Sequence, residues 1–321
     1  VATSQHEFDF LASIRKKLPP HPRLAVGIGD DAALVSFSDR SGCLITTDML
    51  MEGVDFTIPP ATPRQVGWKS LAVSLSDVAA MAGYPVACVV SVALPRRGGL
   101  ELGLELMDGV TECAGRFGVA LAGGDTNSWN GPLVINITVL GEPGLKGPVL
   151  RSGAVPGDWI MATGSFGGSI AGKHLDFTPR IAEAQALHQA TSLHAMIDVS
   201  DGLAADLWHI LDESHVGAVL DANAIPLSPQ AAACRDERSP LQHALADGED
   251  FELLFTVAPA DGQALLDTRP FATALSQIGL ITTGRDCCLK SADGNLTPLA
   301  ALGWKHGFDG EGPSSTKTGS E

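Results

Sequence analysis

The chain has 321 residues, 45% of them apolar and 5% aromatic, with 36 glycines and a formal net charge of −16 from 37 acidic and 21 basic side chains. That length accommodates two domains of ordinary size, with cores packed mainly from Ala, Val, Leu and Ile in an α/β or α+β arrangement rich in tight turns. So acidic a surface repels a nucleic-acid backbone and an anionic bilayer; it can meet phosphates only where divalent cations stand between.

In chain order, residues 7–18 read as a short amphipathic helix stopped by Pro19-Pro20. Residues 24–35 read as strand, acidic turn, strand, with Gly27-Ile28-Gly29-Asp30-Asp31 in the turn, and 43–48 as a strand ending on Asp48. From 63 to 81 apolar residues recur at helical spacing behind Pro63, a residue suited to a helix start. A near-continuous apolar strand over 86–94 precedes a helix over 100–117, a short strand over 119–121 that delivers Gly123-Gly124-Asp125, and a strand over 133–140. The stretch 141–157 is dense in Gly and Pro and reads as a linker. Beyond it come a strand over 159–163 with a Gly-rich turn and helix, a strand over 196–199 running into Ser200-Asp201-Gly202, a helix over 203–214, a strand over 217–220, and a strand over 251–257 behind Asp247-Gly248-Glu249-Asp250. The tail from 309 has no apolar periodicity and reads as disordered.

The six cysteines form no C-x-x-C pair and have no histidines at zinc spacing, so buried reduced thiols are expected. With no basic-then-apolar leader and no apolar run near 18 residues, the expected compartment is the cytoplasm.

One pattern carries chemistry. Apolar stretches repeatedly deliver an aspartate into a turn of small residues: Asp30-Asp31, Asp48, Asp77, Asp125, and Asp198 with Asp201. Taken singly, each reads first as a turn or cap residue. Together, so close to apolar sequence, they need cations or hydrogen bonds to balance them, and Mg²⁺ bound through carboxylates and substrate phosphates suits such a set. The run Gly167 to His174 resembles a Walker A loop but has His174 where Ser or Thr should meet Mg²⁺, so it is not assigned to ATP.

Eight segments in order resemble the thiamine-monophosphate kinases of the aminoimidazole-ribotide-synthetase-like superfamily: Gly27-Ile-Gly-Asp-Asp-Ala-Ala33, Thr46-Thr-Asp-Met-Leu-Met-Glu-Gly53, Lys69-Ser-Leu-Ala-Val-Ser-Leu-Ser-Asp-Val-Ala-Ala-Met81, Gly123-Gly-Asp-Thr126, Arg151-Ser-Gly-Ala-Val-Pro-Gly-Asp158, Thr163-Gly164, Ile197-Asp-Val-Ser-Asp-Gly-Leu203 and Gly248-Glu-Asp-Phe-Glu-Leu-Leu-Phe-Thr-Val257. The resemblance implies a two-domain α/β (α+β) fold: an N-terminal domain over 1–143 forming a dimeric β-barrel, a C-terminal α/β domain over 144–308, and the tail over 309–321. It further implies ATP as co-substrate, several Mg²⁺, a homodimer, and direct in-line phosphoryl transfer to thiamine monophosphate.

Carried over by position, Asp30, Asp31, Thr46, Thr47, Asp48, Asp77, Asp125, Asp198 and Asp201 are expected at metals. Gly124, Asp125, Arg151 and Ser200 are expected at ATP, and Asp55, Glu249 and Trp304 at the acceptor. No general base is expected, because the accepting phosphate is already ionised. Three departures fall on the acceptor side or near it: Asp55 for a usual His, Ser74 for Asn, and Asp247 for the first Gly of a Gly-Gly-Glu-Asp turn; the stretch between Gly172 and Pro179 is also short. The competing readings are another ATP-dependent enzyme of the superfamily with a different acceptor, and a non-catalytic sensor of nucleotide or thiamine phosphate.

Overall fold

The computed structural model describes residues 24–26, 30–36 and 42–305. The expected helix over 7–18, Gly27 to Gly29 of the first acidic turn, and the tail from 309 lie outside them.

The described elements begin with β1 (Leu24–Val26), β2 (Ala33–Ser36), β3 (Gly42–Met51), α1 (Pro63–Ala80), β4 (Tyr84–Pro95), α2 (Gly99–Phe117), β5 (Ala120–Trp129) and β6 (Val134–Glu142). The strands form one open sheet in the order β1-β2-β3-β6-β4-β5, antiparallel except for the β4–β5 pair. A single chain therefore builds a sheet with two edges and no closed barrel among the described residues.

The second half holds β7 (Trp159–Thr163), two 3₁₀ turns (Ser169–Ala171 and Lys173–Leu175), α3 (Ile181–Ala190), β8 (Ala195–Asp198), α4 (Leu203–Ser214), β9 (Gly217–Asp221), α5 (Pro229–Ala233), α6 (Pro240–Ala246), β10 (Leu253–Val257), α7 (Pro259–Thr268), β11 (Leu275–Thr282), β12 (Cys287–Lys290) and β13 (Leu296–Pro298). Its sheet runs β13-β12-β9-β11-β7-β10-β8, antiparallel apart from β12–β9.

Helix α1 is the piece that positions the site. Thr62 and Gln65 cap its start reciprocally, with Pro63 in the first turn. From Val66 to Ala80 nearly every residue is buried, so the helix is not merely amphipathic: it lies between the first sheet, α2 and the second domain's α3 and β8. Contact with α2 is backbone to backbone. A Cβ on Gly67 would stand 1.9 Å from the Leu106 carbonyl oxygen, and one on Gly109 1.9 Å from that of Arg64. A hydrogen bond fastens the second domain to this helix, backed by an aromatic stack inside that domain. Trp68 Nε1 donates to the Phe177 carbonyl at 2.9 Å, and Phe177 stacks on Phe251 at 4.0 Å between ring centres.

Candidate active site

Three carboxylates converge where the domains meet. Asp31 lies just before β2, Asp77 on α1 and Asp198 at the end of β8, and each offers an oxygen within 4.8 Å of the others'. Hydroxyls steady two of them: Thr46 donates to Asp77, and Ser76 to Asp198 at 2.5 Å. Asp48 points toward the same helix, taking a 2.6 Å hydrogen bond from Ser74.

Burial and mutual repulsion strain this set. Burial, then the neighbouring charges of Asp48, Asp198 and Asp31, hold the Asp77 carboxyl well above its ordinary range. Asp198 is pushed up to about 8 by burial first and by Asp31 next. Asp48 is raised mainly by burial. Asp30, which accepts from the Asp31 and Arg151 backbones, is raised to about 7 by burial and by Asp31.

Among these acids sits one guanidinium. Arg151 clasps Asp31 in a bidentate pair, Nε to Oδ2 at 3.0 Å and Nη2 to Oδ1 at 2.9 Å. Burial works against its charge, but Asp31 and Asp30 outweigh burial and raise its pKa. Ser214 of α4 fixes the Arg151 loop by accepting from the Gly153 and Ala154 backbones and donating to the Arg151 carbonyl.

The other expected residues are distributed less simply. Asp201 stands apart from the triad, grouped with Asp206 and His209. Thr47 is the neighbour of Thr46 on a strand and its side chain faces the other way, toward Thr138 and Asn136. Asp125 is not in a turn after a short strand. Strand β5 runs on to Trp129, and Asp125 pairs with Ser91 in the row that contains Asn136 and Met49. That row faces away from Asp48's row of Ile137, Val90 and Gly124, so within one chain Asp125 is not brought to the triad.

On the acceptor side, Ser200 accepts from the Glu249 backbone at 2.6 Å, and the Trp304 backbone donates to the Asp201 carbonyl at 2.9 Å. The expected acceptor residues Glu249 and Trp304 thus flank the Asp198–Asp201 turn. Asp55 lies on the first domain's side, its Oδ2 taking a 2.7 Å bond from the Met51 backbone, and its charge is among those raising Asp48. Lys173 of the Walker-like run points to Glu252 at 3.0 Å, within a buried cluster completed by Arg180, so its ammonium is already engaged.

Three functional candidates escaped the reading of the sequence. Lys69 is fully buried yet ionisable, signalled only by a lysine inside an otherwise buried helical pattern. Ser76 supports Asp198. Asp206 accepts the Asp201 and Gly202 backbone N–H groups at 3.0 Å, a helix-start role legible from its place in the first turn of α4.

Comparison with known proteins adds the context. Residues 29–142 match the family model for the AIR synthase related protein, N-terminal domain, and 155–287 that for its C-terminal domain. Thiamine-monophosphate kinase of Rhodopirellula baltica is 38% identical over 310 residues, covering 94% of this chain and 97% of that protein. The Escherichia coli K12 thiamine-monophosphate kinase is 36% identical over 88% of this chain and 91% of its own length. Among solved structures, AaThiL complexed with AMPPCP and TMP superposes with a TM-score of 0.79 at 27% identity, over 95% of this chain and all (100%) of that one. The thiamine-monophosphate kinase from Stenotrophomonas maltophilia K279a gives 0.73 at 31% identity, over 92% of this chain and 100% of that one. The hydrogenase maturation protein HypE shares the fold at 17% identity and a TM-score of 0.74 in its complex with HypF.

Proposed function

The chain belongs to the thiamine-monophosphate kinase family of AIR synthase related proteins, and from that premise we propose that it transfers the γ-phosphoryl group of ATP directly to the phosphate of thiamine monophosphate, giving thiamine diphosphate. The observation that carries the reading is the convergence of Asp31, Asp77 and Asp198 from three separate stretches onto one point at the domain junction.

The donor set fits Mg²⁺. It consists of hard carboxylate oxygens with hydroxyls beside them, and at neutral pH burial and repulsion oppose its full ionisation unless cations balance it. Asp31, Asp77 and Asp198 would hold a cation, with Asp30, Thr46 and Asp48 beside them; Asp201, Thr47 and Asp125 are the further ligands the family pattern calls for. Bound there, Mg²⁺ supplies neutralisation of the crowded phosphate charge.

The chain's own residues do the rest. Arg151, held by Ser214, presents a planar fork able to exchange Asp31 for a phosphate. Gly124 and Ser200 lend close-approaching backbone to the nucleotide. Glu249, Asp55 and Trp304 define where the acceptor lies, so that the two phosphates meet in line and water is kept aside. No side chain need take a proton, since the accepting oxygen is ionised.

Residues 1–143 and 144–308 serve as the two domains in this reading, and the enzyme works in the cytoplasm as a homodimer. Met49 (60% exposed), Met51 and Val89 stand on the sheet face turned from the helices, and β5 leaves an edge open to a partner; both support a dimer closed through this sheet.

The test is ADP release, followed by a coupled assay with ATP, Mg²⁺ and thiamine monophosphate. Turnover should require both the acceptor and the metal, and Asp77→Asn should lower kcat by about tenfold to a hundredfold. Full transfer in excess chelator, or no acceptor-dependent ADP, would refute the proposal.

A further inference from the structure

Lys69 is the one lysine among the described residues whose side chain is entirely buried, and it sits in the middle of α1, the helix shared by both domains. A buried ammonium must be fully compensated or it loses its proton. Two groups compensate this one. Nζ donates to the Asp55 carbonyl oxygen at 2.7 Å and to Glu249 Oε1 at 2.5 Å. The first belongs to the turn after β3 in the N-terminal domain; the second belongs to the turn before β10 in the C-terminal domain. Both turns are expected at the acceptor, and among the described residues no other hydrogen bond or ion pair joins them.

The Glu249 turn is under evident constraint. Its φ is +64°, in the left-handed region that a glutamate seldom adopts. Its peptide is pinned on both sides, N–H to the Ser200 carbonyl at 2.6 Å and carbonyl oxygen to Ser169 Oγ at 2.5 Å. The carboxylate is used on one oxygen only: Oε1 takes the ammonium, while Oε2 is buried without a hydrogen-bond partner among the described residues. An unmatched carboxylate oxygen is costly, and the surrounding side chain remains 23% exposed, so a bound molecule carrying an N–H donor can supply the missing partner.

We propose that Lys69 is a positioning residue of the acceptor site, which holds the Asp55 turn and the Glu249 carboxylate together across the domain junction and sets Glu249 to receive an N–H donor of the acceptor's amino-substituted ring. The inference rests on the functional reading above. Lys69 acts through Glu249, touches no reacting atom and has no part in holding ATP.

Steady-state kinetics on the full chain, with ATP and thiamine monophosphate varied in turn, tests it as a double-mutant cycle of Lys69→Met, Glu249→Gln and the pair. Each single variant should raise the acceptor KM by about tenfold or more, the scale of a lost hydrogen bond to a charged group, and leave the ATP KM within about twofold. The double variant should be no worse than the worse single, because both remove the same interaction. Lys69→Gln, which keeps an N–H donor without the charge, is the second variant should Lys69→Met fail to fold, and the same pattern is expected of it. Multiplicative effects in the double variant, or acceptor and ATP constants moving together, would overturn the positioning role and reduce Lys69 to a staple between domains. No acceptor-dependent ADP release from the wild-type enzyme would overturn the functional reading and this inference with it.

Discussion

Arg180→Met removes one side of a buried, bidentate ion pair. Glu252, 1% exposed, accepts from Arg180 Nε and Nη2 at 2.7 Å each, from Lys173 Nζ at 3.0 Å and from Thr163 Oγ1 at 2.9 Å. Methionine fills the space and leaves the carboxylate with two of its four donor contacts. Breaking a buried pair from one side costs about 3–5 kcal/mol, and the retained Lys173 and Thr163 place the expected loss near the lower end, about 3 kcal/mol at neutral pH.

The loss should depend on pH with a definite sign. Burial alone pushes the Glu252 carboxyl up, but hydrogen bonding and charge from Arg180, together with Lys173, outweigh it and hold the group below its ordinary 4.5. In the wild type, then, Glu252 contributes stability that is present above the unfolded pKa and lost as pH falls. Without Arg180 much of that pull is lost, the folded pKa rises, and the stability that Glu252 contributes above the unfolded pKa shrinks accordingly. The difference between wild type and Arg180→Met should accordingly be small near pH 4 and reach its full size by about pH 7. Urea denaturation across that range measures it, and the Arg180→Met/Glu252→Gln pair should recover much of the loss at pH 7 by removing the orphaned charge. A destabilisation of equal size at pH 4 and pH 7 would refute the electrostatic account and leave only lost packing.

Gly67→Ala should destabilise by about 1–3 kcal/mol despite alanine's better helix propensity, because its Cβ would stand 1.9 Å from the Leu106 carbonyl; calorimetry would show it, and an unchanged or higher Tm would refute the close-packed crossing. Since α1 carries Asp77 and Ser76, kcat should fall as well. Burial pushes the Cys113 and Cys287 thiols up to about 12, so both should resist iodoacetamide at pH 8 in the native protein and react once it is unfolded; mass spectrometry showing rapid native alkylation of either would contradict their burial.

How much of this was legible in the sequence varied with how local the cause was. Helix α1 could be read from Pro63 and its apolar spacing, but its burial on all sides is completed by a second domain that no local pattern announces. Strand β5 was expected to stop before Gly123-Gly124-Asp125, since those are turn-forming residues. Pairing with β4 carries it on to Trp129, and Gly124 is there for contact: a Cβ would lie 1.8 Å from the Val90 carbonyl oxygen. That extension puts Asp125 in the row of Met49, facing away from the triad. The acids Asp31, Asp77 and Asp198 were found because each ends or interrupts apolar sequence. The supporting Ser76 and Lys69 were not, because a serine or a lysine acquires its role only from what the fold brings to it. Lys69 is the plainest case.

The departures from the family pattern show the same distinction. Asp247 replaces a glycine, yet its φ of −74° is open to any L-residue, so nothing in the backbone demands glycine there. The carboxylate has found its own work: it accepts from the Gly168 backbone at 2.8 Å, from His243 Nδ1 at 2.8 Å and from Arg238 at 2.7 Å. Gly248 is different, since a Cβ would come within 2.6 Å of the Ser200 carbonyl oxygen and push the Glu249 turn off the Asp198–Asp201 turn. Ser74 keeps a hydrogen bond to Asp48 where the family usually has a longer amide, and Asp55 spends its carboxylate on the Met51 backbone. These three changes therefore alter side chains at positions whose backbone is held by other means. Within the second domain, the close approach of the Glu249 turn to the Asp198–Asp201 turn depends on Gly248, and the tie across the domain junction to the Asp55 turn depends on the buried ammonium of Lys69.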